Sequence, residues 1–274
     1  MADARTIEAH WSRDGLERKM LDALATLGKA TGPVTVDDLA PLDQFHGGGK
    51  ASTVRLARLA KLAPGTRVLD VGGGFGGPAR TLAAEFGCRV TTIDLTESYV
   101  RAAVMLTARI GLTAHLTHRI GDALDLPFDD ESFDVVWTQN SGMNIADKPR
   151  LYVGFRRVLR PGGLLALQEP MAGPVQPPIF PLMWARDAST SFLRTPDDMR
   201  ATIEAAGFVA RAWEDVTAEI AGPSTGATVP PHSIQRIVMG DGLDDIIAAG
   251  HRNREEQRIV MTHGVFIRSE DHRC

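Results

Sequence analysis

Short apolar runs alternate along the chain with longer stretches in which apolar positions recur at helical spacing. Val68 to Val71, Arg89 to Asp94 (RVTTID), Leu116 to Gly121, Phe133 to Thr138 and Gly163 to Glu169 (GLLALQE) have the composition of strands. Several of them suit strands covered on both faces. Gly77 to Phe86, Thr96 to Ile110 and Lys148 to Leu159 read as helices between them, with Thr96 placed as an N-cap. Strands alternating with helices predict parallel βαβ units, and therefore an α/β doubly wound sheet. Downstream, Pro196 opens a helix to Ala206 that Gly207 ends, and Val209 to Val216 forms a sixth strand. Leu243 to Arg254 is a further helix and Arg258 to Ile267 (RIVMTHGVFI) a closing strand. Upstream, Ala4 to Trp11, Gly15 to Leu27 and Lys50 to Leu62 read as helices outside the sheet. The second carries Leu16, Met20, Leu24 and Leu27 as a packing stripe.

Three stretches interrupt the pattern. Val34 to Leu42 leads into Asp43-Gln44-Phe45-His46-Gly47-Gly48-Gly49, a flexible polar segment that either closes over a ligand or merely links two helices. Pro170 to Leu193 is long and proline-rich and carries Phe180, Met183, Trp184 and Phe192. Its length points to a function and its aromatic content away from disorder, so it reads as a substrate lid, or else as an extra helix packed around Trp184. Ala218 to Gly240 is irregular and rich in proline and glycine.

Candidate chemistry concentrates in Val68 to Gly77 (VLDVGGGFGG), where an apolar run and an acid are followed by five glycines in six positions. Glycines cannot extend a buried strand, because they supply no side chains to pack. Gly72, Gly74 and Gly77 have the spacing of a turn that tolerates positive φ and lets a ligand lie against main-chain amides at a helix N-terminus. Asp94, closing the next strand, can accept two hydrogen bonds at once and so matches a ribose diol. A pyrophosphate beside the turn would be repelled by Asp70, whereas a cationic or zwitterionic nucleoside would be tolerated. Three classes follow: a small-molecule transferase, an NAD(P)-dependent oxidoreductase, which Asp70 opposes, and a nucleoside-binding domain without activity, which the long loops oppose.

These residues resemble the class I S-adenosylmethionine-dependent methyltransferases, whose first motif, acid-x-Gly-x-Gly-x-Gly, is matched by Asp70, Gly72, Gly74 and Gly76. The resemblance continues in order. Asp94, with Leu95 beside it, matches the ribose-binding acid; Gly121-Asp122-Ala123 with Leu126-Pro127-Phe128 matches the adenine-binding segment. Phe133-Asp134-Val135-Val136 matches the fourth strand, and Leu159-Arg160-Pro161-Gly162-Gly163 the turn before the fifth. Asp43-Gln44-Phe45-His46 and Ala206-Gly207-Phe208 are similar to a subgroup that includes sarcosine and dimethylglycine N-methyltransferases and natural-product or sugar O-methyltransferases. The resemblance implies S-adenosyl-L-methionine as cofactor and a Rossmann-like seven-stranded sheet with its last strand antiparallel. It also implies three segments: N-terminal helices and a cofactor-covering stretch in 1–62, the cofactor-binding core in 63–170, and substrate cap elements with the end of the sheet in 171–274.

Bulk properties agree with small-molecule chemistry. The 274 residues are 43% hydrophobic, enough for one large α/β domain, and the net charge is −4 with no basic run, which gives nucleic acid and anionic membranes no electrostatic hold. Only Cys88 and Cys274 are present and the first residues lack a signal-peptide pattern, so a cytoplasmic location is expected. A homo-oligomer is compatible with the sequence and not fixed by it. The eight histidines include no H-x-x-x-H pair, so no metal is expected, and His263 reads as structural.

Gln139 is expected at the cofactor, and Asn140, Met143, Asn144, Phe180 and Trp184 at the acceptor, with Trp137, Met183 and Phe192 as further apolar walls. His46 is the candidate general base, although a loop histidine bonded to backbone is an equal reading. Many relatives have a histidine where Asn144 stands, which weakens any direct transfer of substrate. A carboxylate acceptor would want Arg186 or Arg194 turned inward. The acceptor is therefore expected to be a small, partly apolar metabolite, with sarcosine or dimethylglycine as runner-up.

Overall fold

The computed structural model describes residues 4–220 and 229–270. In chain order the elements are α1 (Ala4–Trp11), α2 (Leu16–Thr26), α3 (Val36–Asp43), α4 (Gly49–Leu59), β1 (Arg67–Val71), α5 (Gly77–Phe86), β2 (Arg89–Asp94), α6 (Glu97–Arg109), β3 (Leu116–Ile120) and β4 (Phe133–Gln139). They continue as α7 (Lys148–Val158), β5 (Leu159–Ala172), α8 (Pro196–Ala205), β6 (Phe208–Asp215), α9 (Ile234–Met239), α10 (Leu243–Glu255) and β7 (Ile259–Arg268). The seven strands form one sheet in the order β3-β2-β1-β4-β5-β7-β6, parallel except for β7, which runs antiparallel to both its neighbours. The expected doubly wound sheet with an antiparallel closing strand is therefore the observed one. Strand order reverses between β1 and β4, and the carboxyl ends of those strands flank the crevice where open α/β sheets bind ligands.

The two faces of the sheet bury separate cores. Leu69, Val71, Val136, Leu165 and Leu167 pack with Tyr152, Phe155 and Phe208 on one side. Val68, Val90, Val135, Trp137 and Ala166 pack with α4 and α5 on the other. Trp137 is wholly buried in that second core, with its indole NH on Gln139, and so is no wall of a ligand site.

Several local expectations are revised. Thr96 occupies the N-cap of α6, but its side chain makes no capping bond; the Asp94 carboxylate receives the Thr96 amide instead. Strand β5 runs on to Ala172, paired with β7 from Leu164 to that end, so the predicted lid begins only after it. The irregular stretch Ala218 to Gly240 contains α9, capped by the Ser233 hydroxyl; residues 221–228 within it and Cys274 lie outside the described residues. Val36 to Asp43 is helical, started by a capping box between Thr35 and Asp38. The segment from Asp43 to Gly49, expected to be flexible, is pinned. Asp43 and Arg80 form a fully buried ion pair, 2.9 Å between Nη2 and Oδ2, and Gln44 donates to Thr81. Burial pushes the Asp43 carboxyl up to about 6 against the pull of Arg80. The core meets this segment at Gly77, where a Cβ would lie 2.3 Å from the Asp43 carbonyl oxygen.

Candidate active site

A cavity of about 1090 Å³ opens at the carboxyl ends of β1, β2 and β4. One half is lined by Gly72, Gly74, Asp94, Leu95, Asp122 and Ala123, all singled out in the sequence. At Gly74, φ is +51° and a Cβ would meet nothing nearer than 4.0 Å, so the position faces open space and holds a backbone that branched residues resist. Gly72 serves a different need, because a Cβ there would lie 2.3 Å from that of Ser141. Asp94 accepts the Gly74 amide on Oδ2 and the Thr96 amide on Oδ1, both at 2.8 Å. Each carboxylate oxygen keeps a second lone pair, and the half-exposed group faces the cavity. Asp122 is both a turn acid, accepting the Leu124 amide at 2.8 Å, and a cavity residue.

Two motif residues stand behind this surface. Gly76 packs against Arg80 and His118, and Asp70 is 2% exposed with no partner on Oδ2. Burial, with Asp94 nearby, pushes the Asp70 carboxyl up to about 7. An orphaned buried carboxylate oxygen, a glycine turn and a strand-end acid together fit a nucleoside that carries positive charge.

The other half of the cavity is lined by Asn140, Met143, Leu182, Met183 and Trp184, and by residues of α10 and β7. Phe180 does not line it; the ring packs in a small cluster with Met143 and Trp184. Phe192, Arg186 and Arg194 are also absent from the wall, and both arginines face solvent. Asn144 reaches the cavity, yet its amide is fully employed. Nδ2 donates to the carbonyls of Trp184 (3.0 Å) and Thr190 (2.7 Å), and Oδ1 accepts from Trp11 Nε1 (3.2 Å). It is a clasp joining α1 to the segment of Trp184 and Thr190 more than a free ligand contact.

Both ring nitrogens of His46 are engaged. Nδ1 donates to the Gly47 carbonyl at 3.1 Å, and Nε2 lies 3.2 Å from the Thr53 hydroxyl and 3.0 Å from Gln44 Oε1. Desolvation pushes the imidazole down to about 4, which keeps it neutral and makes it a weak base. His46 heads a polar network through Thr53, Gln139 and Gln168 to the buried His263.

The groups that shape the loop after β4 belong to no motif in the sequence. Glu169 Oε1 receives the amides of Gly142 (2.9 Å) and Ser141 (3.3 Å), and Lys148 donates to the carbonyls of Gly142 and Ile145, each at 2.5 Å. Burial raises the Glu169 carboxyl and pushes the Lys148 amine down to about 8. A strand ending in consecutive polar residues, Gln168 and Glu169, was the available signal. Among the described residues no group of three or more His, Cys, Asp or Glu could hold a metal ion.

Residues 69–167 match the family described as methyltransferase domain. The chain is 36% identical over 132 residues to a glycine/sarcosine/dimethylglycine N-methyltransferase of Actinopolyspora halophila, covering 48% of this chain and 23% of that protein. It is 34% identical over 170 residues to a sarcosine/dimethylglycine N-methyltransferase of Halorhodospira halochloris, covering 61% of this chain and 60% of that protein. The chain thus spans less than two thirds of either relative. Among solved structures, the [4+2]-cyclase SpnF superposes with a TM-score of 0.66 at 21% identity, over 92% of this chain and 95% of that one. Residues 69–167 thus match a methyltransferase-domain model, and they lie within the seven-stranded, Rossmann-like sheet described above.

Proposed function

We propose that this protein is an S-adenosyl-L-methionine-dependent methyltransferase that moves a methyl group to nitrogen or oxygen of a small, partly apolar metabolite. The observation that carries the reading is the shared cavity, in which a glycine-and-acid cradle for a nucleoside opens directly onto an apolar second chamber. The cofactor would supply an already activated methyl group on sulfur. This chain's part is to hold the two reactants in line, an orientation effect of roughly 7 to 11 kcal/mol in well-arranged cases. Asp94 would take the ribose hydroxyls, the Gly72–Gly74 turn would lie under the amino-acid portion, and Asp122 with Ala123 would meet the adenine. Gln139 would act through the network that fixes His46. With both nitrogens engaged, His46 suits orientation of an acceptor better than proton removal, which favours an amine that arrives unprotonated.

The reading keeps the three segments 1–62, 63–170 and 171–274 as cofactor cover, core and substrate cap. It includes a cytoplasmic location, no metal and no nucleic-acid or membrane partner, and it is compatible with a homo-oligomer; no helix among the described residues is long and apolar enough to cross a membrane. Sarcosine or dimethylglycine methylation is the second reading, favoured by the names of the two relatives. The cyclase likeness shows that the fold alone does not name a reaction.

Thermal shift tests the cofactor. S-adenosylhomocysteine at about 100 times its Kd should stabilise the protein by about 2.7 kcal/mol, with no response to NAD or NADP. An NAD shift without an S-adenosylhomocysteine shift would overturn the assignment. A screen of metabolites for S-adenosylhomocysteine release then identifies the acceptor.

A further inference from the structure

Helix α10 presents one continuous stripe to the cavity: Leu243, Ile246, Ile247, Gly250, His251 and Arg254. These positions follow the i, i+3, i+4 rule for one face of a helix, and the stripe runs about 16 Å at 1.5 Å per residue. It is graded. The amino-terminal end is aliphatic, Gly250 leaves the middle without a side chain, and the carboxyl end carries an imidazole and a guanidinium. Across the chamber Met183, Ile259 and Met261 continue the apolar wall.

Among the described residues, Arg254 is the only lysine or arginine that lines the cavity, and no carboxylate forms an ion pair with it. Neighbouring arginines on the outer side, Arg252 and Arg258, are both paired with Glu256. Arg254 Nη2 instead lies 2.8 Å from His251 Nδ1. A guanidinium can only donate, so His251 Nδ1 accepts, and the imidazole proton sits on Nε2 as a second donor. The carboxyl end of α10 adds its own requirement: Asn253, 1% exposed, clamps Ile179 through both its amide atoms, at 2.8 and 2.7 Å. The helix that carries Arg254 is therefore fixed to the lid segment.

A planar fork of donors without a counter-charge, at the end of an apolar groove, matches a carboxylate. The charge count selects among anions. One guanidinium beside a neutral imidazole balances one negative charge and leaves a phosphate dianion or a diphosphate uncompensated. We propose that the acceptor is an amphipathic monocarboxylic acid whose apolar body lies along α10 and whose carboxylate is held by Arg254 with His251. This rests on the methyl-transfer reading for the word acceptor, and on the groove alone for the binding.

The test is calorimetry on the full chain with octanoate, 1-octanol, octyl phosphate and sarcosine, each with and without S-adenosylhomocysteine. Octanoate should bind at least about tenfold more tightly than octanol, the discrimination expected from hydrogen bonds to a charged group. Arg254→Gln should weaken octanoate by a similar factor and leave octanol unchanged, with Arg254→Lys intermediate because the charge remains and the fork is lost. Absence of octanoate binding, or equal binding of octanol and octanoate by the wild-type protein, overturns the proposal without recourse to any variant. So do an Arg254→Gln effect under threefold, tighter binding of octyl phosphate, which would indicate a dianion site, and tighter binding of sarcosine, which would indicate a small amino-acid site. If octanoate behaves as expected while S-adenosylhomocysteine does not bind, the carboxylate site stands and the methyl-transfer reading falls.

Discussion

The half of the cavity proposed to hold the nucleoside is made by strand ends and the turns directly after them, whereas the half proposed for the acceptor is made by segments far apart in the chain that hold one another in place. Asp94 is fixed by amides two residues ahead of it and twenty behind it. Trp184 owes its position to Asn144, forty residues away, and Ile179 owes its own to Asn253, seventy-four away. The first half is thus a product of regular βα geometry and tolerates change around it. The second is a set of clasps, and losing one loosens several walls together.

Gly74→Val should cause the largest effect, confined to the first half. A branched residue forced to positive φ carries roughly 1 to 3 kcal/mol of strain and also projects into the cavity, so S-adenosylhomocysteine affinity should fall about 100-fold. Unchanged affinity in calorimetry would mean the turn is only a turn. Asp94→Ala should come next, with at least a tenfold rise in Kd, since hydrogen bonds to a charged group contribute about 1.5 to 3 kcal/mol each. A change under threefold would remove the ribose role.

Asn144→Ala probes the other half. Two buried carbonyls and an indole NH lose their partner, which should lower stability by about 2 to 4 kcal/mol and the Tm by about 5 to 10 °C. The comparison predicts that S-adenosylhomocysteine still binds; parallel loss of that binding would show that the halves are not separately built.

Asp70→Asn should change stability with a definite pH signature. The folded-state pKa near 7 exceeds the usual carboxylate value, so the unfolded chain loses this proton first as pH rises. Asp70 therefore imposes a penalty that grows from about pH 4 to pH 7 and is complete above pH 7. The Tm gain of the amide variant over wild type should accordingly be larger at pH 8 than at pH 5. A gain independent of pH would contradict the buried, proton-holding state of Asp70.

The same contrast explains what could be read from the sequence. Strand and helix periodicity, the glycine run and Asp94 lie within one βαβ unit, so local patterning located them and their shared crevice. The acceptor half was legible only in part. Met143, Met183 and Trp184 are cavity residues, but Trp137, Phe180 and Phe192 are equally apolar and do not line it, because composition does not say which way a side chain faces. Arg254 escaped notice for a related reason. On a helix with charged residues on its outer side, only the packing of α10 against the cavity separates the inward arginine from Arg252, which pairs with Glu256.

The buried pair of Arg80 and Asp43 has a kinetic consequence. Breaking such a pair without replacing either partner costs roughly 3 to 5 kcal/mol, and Arg80 further donates to Phe75 and Thr107. The stretch from Asp43 to Gly49, which lines the cavity, is therefore held fixed, and a nucleoside bound as proposed would leave by a route that does not part α3 from α5. Added salt screens exposed ion pairs and leaves one this deep almost untouched. The residence time of S-adenosylhomocysteine should consequently be nearly insensitive to ionic strength.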